Sequence, residues 1–196
     1  MAKLNLPCNE AEIRALRVGE PALLSGRMIT GRDAAHHWLV GGFREEVAPY
    51  LKGSVIYHCG PVVRKNPDGS FTFVAAGPTT SSREEPYQAD VIGRYGVRGV
   101  IGKGGMFEKT RKGLAEHGAV YLHAVGGTAQ TLARAVVRVE RVFMLEEFGV
   151  PEAMWVIEVK DFPTVVTMDA QGGSLHESIA EGSKAVLDKL IGRKAR

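Results

Sequence analysis

Between residues 71 and 135 one pattern is written three times: an apolar run, a short glycine-bearing loop and an amphipathic helix. FTFVAAG, PTTSSR and EEPYQADVIGRYG form the first unit; VRGVIG, KGG and MFEKTRKGLAEHG the second; AVYLHAVGG and TAQTLARAV the third. Asp68-Gly69 is turn chemistry leading into the first strand. Pro86 is tolerable in the first turn of its helix, and Gly118 closes the next one. Such units predict parallel strands joined by crossover helices, an α/β fold with a mixed, partly parallel sheet. In open sheets of this type ligands bind where loops leave the carboxyl ends of strands, beside helix N-termini. Thr79, Thr80, Arg83, Lys103, Gly104 and Gly127 lie in those loops and are expected on one rim.

The flanks are less regular. The first thirty residues read as strand-rich. In GRDAAHHWLVGGF, Asp33 is placed to cap a helix whose Ala34, Ala35, Trp38 and Leu39 share a face. SVIYHCGPVV reads as a buried strand ending at Gly60-Pro61. After residue 135, VVRVERVFM and AMWVIEVKDFPTVVTMDAQGG read as longer strands, with a break near Asp161-Phe162-Pro163. Trp155, Ile157 and Val159 alternate with Val156, Glu158 and Lys160, as in a sheet with one covered face. Residues 1–196 are expected to form one domain, with 178–196 a helical and then fraying basic tail.

Charge and cysteine content narrow the chemistry. Residues 61–120 carry nine Lys/Arg against six acids, residues 121–180 four against eight. A mildly basic middle third suits a small anion better than nucleic acid, which favours a clustered basic surface with interleaved aromatics. The 24 glycines, about 12% against roughly 7% on average, suit tight turns and close backbone approach to a ligand. Cys8 and Cys59 form no CxxC and are too few for an iron–sulfur cluster or a structural zinc. No signal peptide precedes them and no apolar run nears the ~20 residues of a membrane span, so a reduced cytoplasmic protein is expected.

Each candidate site has a structural and a functional reading. In GPTTSSR, Thr79, Thr80, Ser81 and Ser82 are capping and turn residues, or Gly77-Pro78 fixes an exposed turn from which Arg83 offers a planar fork to a carboxylate. GKGG is a plain strand-to-helix turn, or a site where Lys103 and backbone amides freed by Gly104 and Gly105 meet an anion; it is neither a Walker A nor a GxGxxG motif. Paired with the preceding loop, the anion-site reading is the better one. Arg32 precedes a helix, another place suited to anions. His36 and His37 face different sides of that helix and cannot form an i, i+4 metal pair; His36 suits packing or orienting a neighbour. His58 and Cys59 point to opposite faces of a strand, which argues against a Cys/His nucleophile. No GxSxG elbow is present.

GRDAAH, GPTTSSR, IGKGG, GAVYLHAVGGTAQTLA and EAMWVIEVKDFPTVVTMD stand in the order found in one family. From about residue 5 to residue 177 the chain resembles the β subunit, or C-terminal half, of iron–sulfur-dependent class I fumarases and the related L-tartrate dehydratases. The resemblance implies a swivelling β/β/α domain and an α-subunit partner in a hetero-oligomer with β–β or α–β contacts. It places a [4Fe-4S] cluster on that partner's three cysteines, with no metal on this chain. It implies that Arg32, Arg83 and Lys103 bind the carboxylates of a four-carbon diacid and that Thr79 moves the proton, with Asp33, His36, Thr80 and Gly104 in support. Two departures stand out: Arg83 is followed by Glu84-Glu85 where the family often has Met and an acid, and Lys103-Gly104 by Gly105 where Asn or Arg is common.

Fumarate hydratase is the reading these features imply, with neither nucleic acid nor membrane as partner. Tartrate dehydratase, or another hydroxy-diacid hydro-lyase, is the near alternative. A non-catalytic anion-binding module would use the same loops without a cluster-bearing partner.

Overall fold

A computed structural model describes residues 1–192; the last four residues of the basic tail lie outside them. The strands are β1 (Ala2–Leu6), β2 (Pro21–Thr30), β3 (Val55–Tyr57), β4 (Val62–Lys65), β5 (Phe71–Ala75), β6 (Gly99–Gly102), β7 (Val120–His123), β8 (Val136–Phe143) and β9 (Met154–Met168). The helices are α1 (Glu10–Arg14), α2 (Asp33–Val40), α3 (Ala48–Leu51), α4 (Gln88–Tyr95), α5 (Glu108–His117), α6 (Ala129–Arg134), α7 (Leu145–Phe148) and α8 (Leu175–Leu190).

β1, β2, β3, β6 and β7 pair in parallel, each neighbour reached through helix-bearing segments too long for a hairpin. β9 runs antiparallel to β7, to β2 and to β8. Because β9 pairs with both β7 and β2, the pairings β2–β3–β6–β7–β9–β2 close on themselves, leaving β1 and β8 outside the ring. Closure pairs the five ring strands on both sides, while among the described residues β1 and β8 each pair on one side only.

Three expectations are corrected here. FTFVAA is a strand but not part of the parallel sheet: β5 pairs antiparallel with β4 across the Asp68-Gly69 turn, whose local closure supplies its backbone partner. The break near Asp161 is a bulge, not an end. Asp161 takes a φ of +51°, and the β2–β9 register shifts between Leu24 and Gly26 while β9 continues for 15 residues. Nor does β9 have only one covered face. Trp155, Ile157 and Val159 pack with Leu24, Tyr57, Ile101 and Leu122, while Met154 and Val156 pack with Ile29, Ile56, Val100 and Tyr121 against the helices. The alternation separates two cores. Within the first thirty residues the short helix α1 also appears, closed by an Asn9–Glu12 capping box.

Gly26 shows why the β1–β2 contact needs glycine. Its φ is +103°, and a Cβ there would lie 2.2 Å from the backbone oxygen of Leu6. Gly26→Ala is expected to destabilise by more than about 1 kcal/mol, read as a fall in the urea midpoint at unchanged slope. An unchanged midpoint would mean that β1 moves aside freely.

Candidate functional site

Parallel strands place their carboxyl ends on one edge, so four chain segments emerge together. β2 leads into Gly31-Arg32-Asp33, β3 into His58, β6 into Lys103 and β7 into Ala124–Thr128. The GPTTSSR segment arrives there from the hairpin rather than from a sheet strand. It docks as a short extra ribbon between the ends of β3 and β6. The Thr79 N–H donates to the His58 carbonyl at 2.7 Å, the Lys103 N–H donates to the Thr79 carbonyl at 3.2 Å, and the Ser81 N–H donates to the Lys103 carbonyl at 3.1 Å. Thr79 and Lys103 are thereby fixed side by side. Thr80, exposed, bridges to Lys103.

The cations differ in how they are held. Arg83 is about half exposed and donates to Asp33 Oδ2. Arg32 is mostly covered, with Nη1 3.2 Å from Glu152 Oε1; its Nε is buried without a partner among the described residues. Lys103 makes no side-chain hydrogen bond or ion pair among the described residues, and neither does the half-buried Thr79 hydroxyl make a hydrogen bond. Gly104 and Gly105 take φ of +83° and +76°, and a Cβ at Gly105 would strike the His176 ring at 2.4 Å. Gly105 therefore leaves room for His176, where a larger residue would displace it. Gly127, also at positive φ, follows Gly126, whose Cβ would stand 3.7 Å from Lys103 Cδ.

Asp33 is not the cap of its helix. Arg32 occupies that position in extended conformation without a side-chain capping bond, and Asp33 is the first helical residue. The free α2 N–H groups are served from a distance: Glu152 Oε2 accepts from the Ala34 N–H at 3.2 Å. That releases the Asp33 carboxylate for Arg83. Helix α4 starts at Gln88, so Pro86 stands in the turn before it rather than in its first turn. Glu85 meanwhile accepts from the Phe107 N–H at 2.9 Å and from the Thr110 N–H at 3.1 Å, capping α5. One member of the Glu84-Glu85 pair thus ties the GPTTSSR loop to the helix after GKGG.

A buried chain of polar side chains runs beneath these loops. His36, His58, Ser81 and Gln88 are all fully buried. His36 Nδ1–H donates to the Arg32 carbonyl at 2.8 Å, which leaves Nε2 of the neutral ring as an acceptor. Gln88 Oε1 lies 2.9 Å from that Nε2 and 2.8 Å from His58 Nε2, an acceptor facing an acceptor at His36 unless the amide is turned end for end. Only its NH2 group can serve His36, and the same group reaches His58. His58 Nδ1–H then donates to Ser81 Oγ at 2.9 Å, which also accepts from Tyr121 Oη at 2.8 Å. Burial drives both imidazole pKa values down, that of His58 well down with His36 adding to it. Neutral rings suit this bonding. Ser81, read from the sequence as a turn residue, is a node of this chain, and a Cβ on Gly102 would lie 1.8 Å from its Oγ.

The cysteines offer no reactive thiol, although Cys59 directly follows His58, bridges to Pro78 and feels the charge of Arg32. Cys8 and Cys59 are buried free thiols whose pKa burial pushes up to about 11 and about 12. Among the described residues no three His, Cys, Asp or Glu side chains are grouped so as to hold a metal ion. No helix among them is long and apolar enough to cross a membrane.

A family model described as Fumarase C-terminus matches residues 1–179. A Geobacillus stearothermophilus protein carrying the name fumarate hydratase class I is 52% identical over 188 residues, which are 95% of this chain and 35% of that protein. A Methanocaldococcus jannaschii protein carrying the name L(+)-tartrate dehydratase subunit beta is 39% identical over 92% of this chain and 94% of its own length. The L(+)-tartrate dehydratase subunit beta of Escherichia coli K12 is 37% identical over 95% of this chain and 90% of its own. The chain thus spans about a third of the first relative and nearly all of the other two.

Proposed function

Because this chain belongs to the fumarase C-terminus family, we propose that it is the β subunit of a class I fumarate hydratase, a hydro-lyase interconverting fumarate and (S)-malate together with an α subunit. The observation that carries this reading is the backbone ladder that seats Thr79 beside Lys103, with Arg32 and Arg83 arriving on the same edge.

The residues divide the work by their surroundings. Lys103, without a carboxylate partner among the described residues, offers its full charge to one substrate carboxylate. Arg83 and Arg32 are each held by a single acid, Asp33 and Glu152, which orients the guanidinium and leaves donors for the diacid. The Thr79 hydroxyl is the group for the proton on carbon. Thr80 and Gly104 shape the loops, and His36 ties the Arg32 backbone to Gln88. Closing this edge against the α subunit, as a swivelling domain would, excludes water and strengthens every charge contact.

This chain's thiols do not fit a cluster. Both are buried and protonated at neutral pH. A [4Fe-4S] cluster therefore belongs to the α subunit in this reading, and the steps assigned here are binding, orientation and proton movement. Buried unpaired thiols also suit a reducing compartment, so we place the protein in the cytoplasm.

The test is reconstitution with the α subunit and an anaerobic assay of malate–fumarate interconversion. Lys103→Ala and Arg83→Ala are each expected to lower kcat/KM by at least about tenfold, since each deletes a charge-assisted contact. Activity within about threefold of wild type would remove that residue from the site. Tartrate is the second substrate to assay, because two relatives named for tartrate dehydratase match over nearly their full length. Higher kcat/KM on tartrate than on malate would replace the fumarase reading. Failure of the mixed subunits to turn over any hydroxy diacid would favour an anion-binding module.

A further inference from the structure

Glu84 is fully buried, and among the described residues neither of its carboxyl oxygens meets a hydrogen-bonding partner if it is ionised. A carboxylate left in that state is among the costliest groups a protein can bury. Beside it, Asp33 presents a second oddity: Oδ2 receives Arg83, while Oδ1 is buried and unpartnered. One added proton resolves both.

We propose that Glu84 is held as a neutral carboxylic acid whose O–H donates to Asp33 Oδ1, so that the two acids share one proton and one negative charge, and that this shared proton lets Arg83 remain available to an anion. Glu84 is a positioning residue acting through Asp33. Its ionisation would send the proton to solvent and leave two carboxylates facing one guanidinium, drawing Arg83 away from the rim. The proton site rests on the chain alone; its effect on a diacid rests on the function proposed above.

Every charged group around Glu84 is consistent with the neutral form. Asp33, from α2, disfavours a second negative charge. Arg83, on its own turn, is already engaged by Asp33. His58 Nδ1 is 3.8 Å away but donates to Ser81, and His58 is neutral, as is His36 behind it with ring centroids 5.0 Å apart. Tyr121, a further titratable neighbour, is likewise neutral because burial raises its pKa. Burial first, then the hydrogen bond with Asp33 and its charge, push the Glu84 pKa up from 4.5 to about 8. The folded state consequently binds more protons than the unfolded one between those values, and stability falls as pH rises through that window. Below it the two states are equally protonated and the penalty vanishes.

The full chain labelled with ¹³C at glutamate carboxyls tests this directly. One resonance should titrate with a midpoint near 8 and disappear in Glu84→Gln. Asp33→Asn, which removes the neighbouring charge, should lower that midpoint. The Gln variant keeps an N–H donor for Asp33, so it should gain stability over wild type as pH rises, by up to about tenfold in the unfolding constant per pH unit. In the reconstituted enzyme KM for malate should rise above pH 8 in wild type and stay flat in Glu84→Gln, with kcat unaffected by the substitution. Glutamates all ionised by about pH 6, or a midpoint indifferent to Asp33→Asn, would overturn the proposal. A titration near 8 without turnover on any diacid would uphold the shared proton and count against the substrate reading alone.

Discussion

Thr79→Ala in the reconstituted enzyme is expected to lower kcat by about two to four orders of magnitude, the range for loss of a positioned acid–base group, with little change in KM. The structure accounts for both halves of that expectation. The Thr79 backbone is pinned on both sides, to His58 at 2.7 Å and Lys103 at 3.2 Å, so removing the side chain leaves the loop where it is. The hydroxyl has no protein hydrogen bond to lose among the described residues, so little folding stability depends on it. A β-branched side chain with one stiff χ1 torsion also places its oxygen more narrowly than serine would. An unperturbed hydroxyl is a weak base, and the adjacent Lys103 is the charge that would stabilise its alkoxide. Thr79→Ser should therefore retain a measurable part of the rate, lost mainly through looser placement. If Thr79→Ala kept kcat within about threefold, the proton would have to move through another group, and Thr79 would be a loop residue only. A rise in KM equal to the fall in kcat/KM would instead show that its role is substrate binding.

How much of this site could be read from the sequence depended on how far apart its parts lie in the chain. Lys103 stands just past the end of a strand, and parallel strands must deliver their outgoing loops to one edge; hydrophobic patterning was enough to see that, whereas His58 was read as part of a strand running on to Gly60-Pro61 and Arg32 only as a residue before a helix. FTFVAA shows the limit of the same reasoning. Its strand character was visible, but its partner was decided by an Asp-Gly turn a few residues upstream, and the GPTTSSR loop reached the rim by docking rather than by continuing a sheet strand. Asp33 was legible as a helix-start residue and misjudged as a cap, because the true supplier of that bond, Glu152, lies 118 residues from the Ala34 N–H it serves. The same distance problem hid Gln88 and Tyr121, which look like ordinary helix and strand residues until the fold brings them under the rim. Glu84 gave one signal, an acid where the resembling family has methionine. Only the buried, partnerless geometry turns that departure into chemistry.

Gln88→Leu is expected to cost on the order of 4 kcal/mol of folding stability, because it orphans Nε2 of two buried histidines at about 1–3 kcal/mol each without offering either a donor. Leucine matches the volume closely, so cavity formation adds little, and the loss measures the polar bonds themselves. The network is also what connects the rim loops from below. Gln88 joins His36, whose Nδ1–H holds the Arg32 carbonyl, to His58, whose Nδ1–H holds Ser81 in the loop that carries Thr79. Cutting the middle should therefore loosen Arg32 relative to Thr79. KM for the diacid should rise as the carboxylate contact loses its preorganisation, even in molecules that remain folded. Ser81→Ala cuts the same chain one link further along. If the chain acts as a unit, stability losses in Gln88→Leu and Ser81→Ala combined should fall short of their sum by about 0.5–3 kcal/mol, the range for coupled neighbours. Strict additivity in urea unfolding would mean that these are separate contacts, and that the alignment of Arg32 with Thr79 comes from the strands alone.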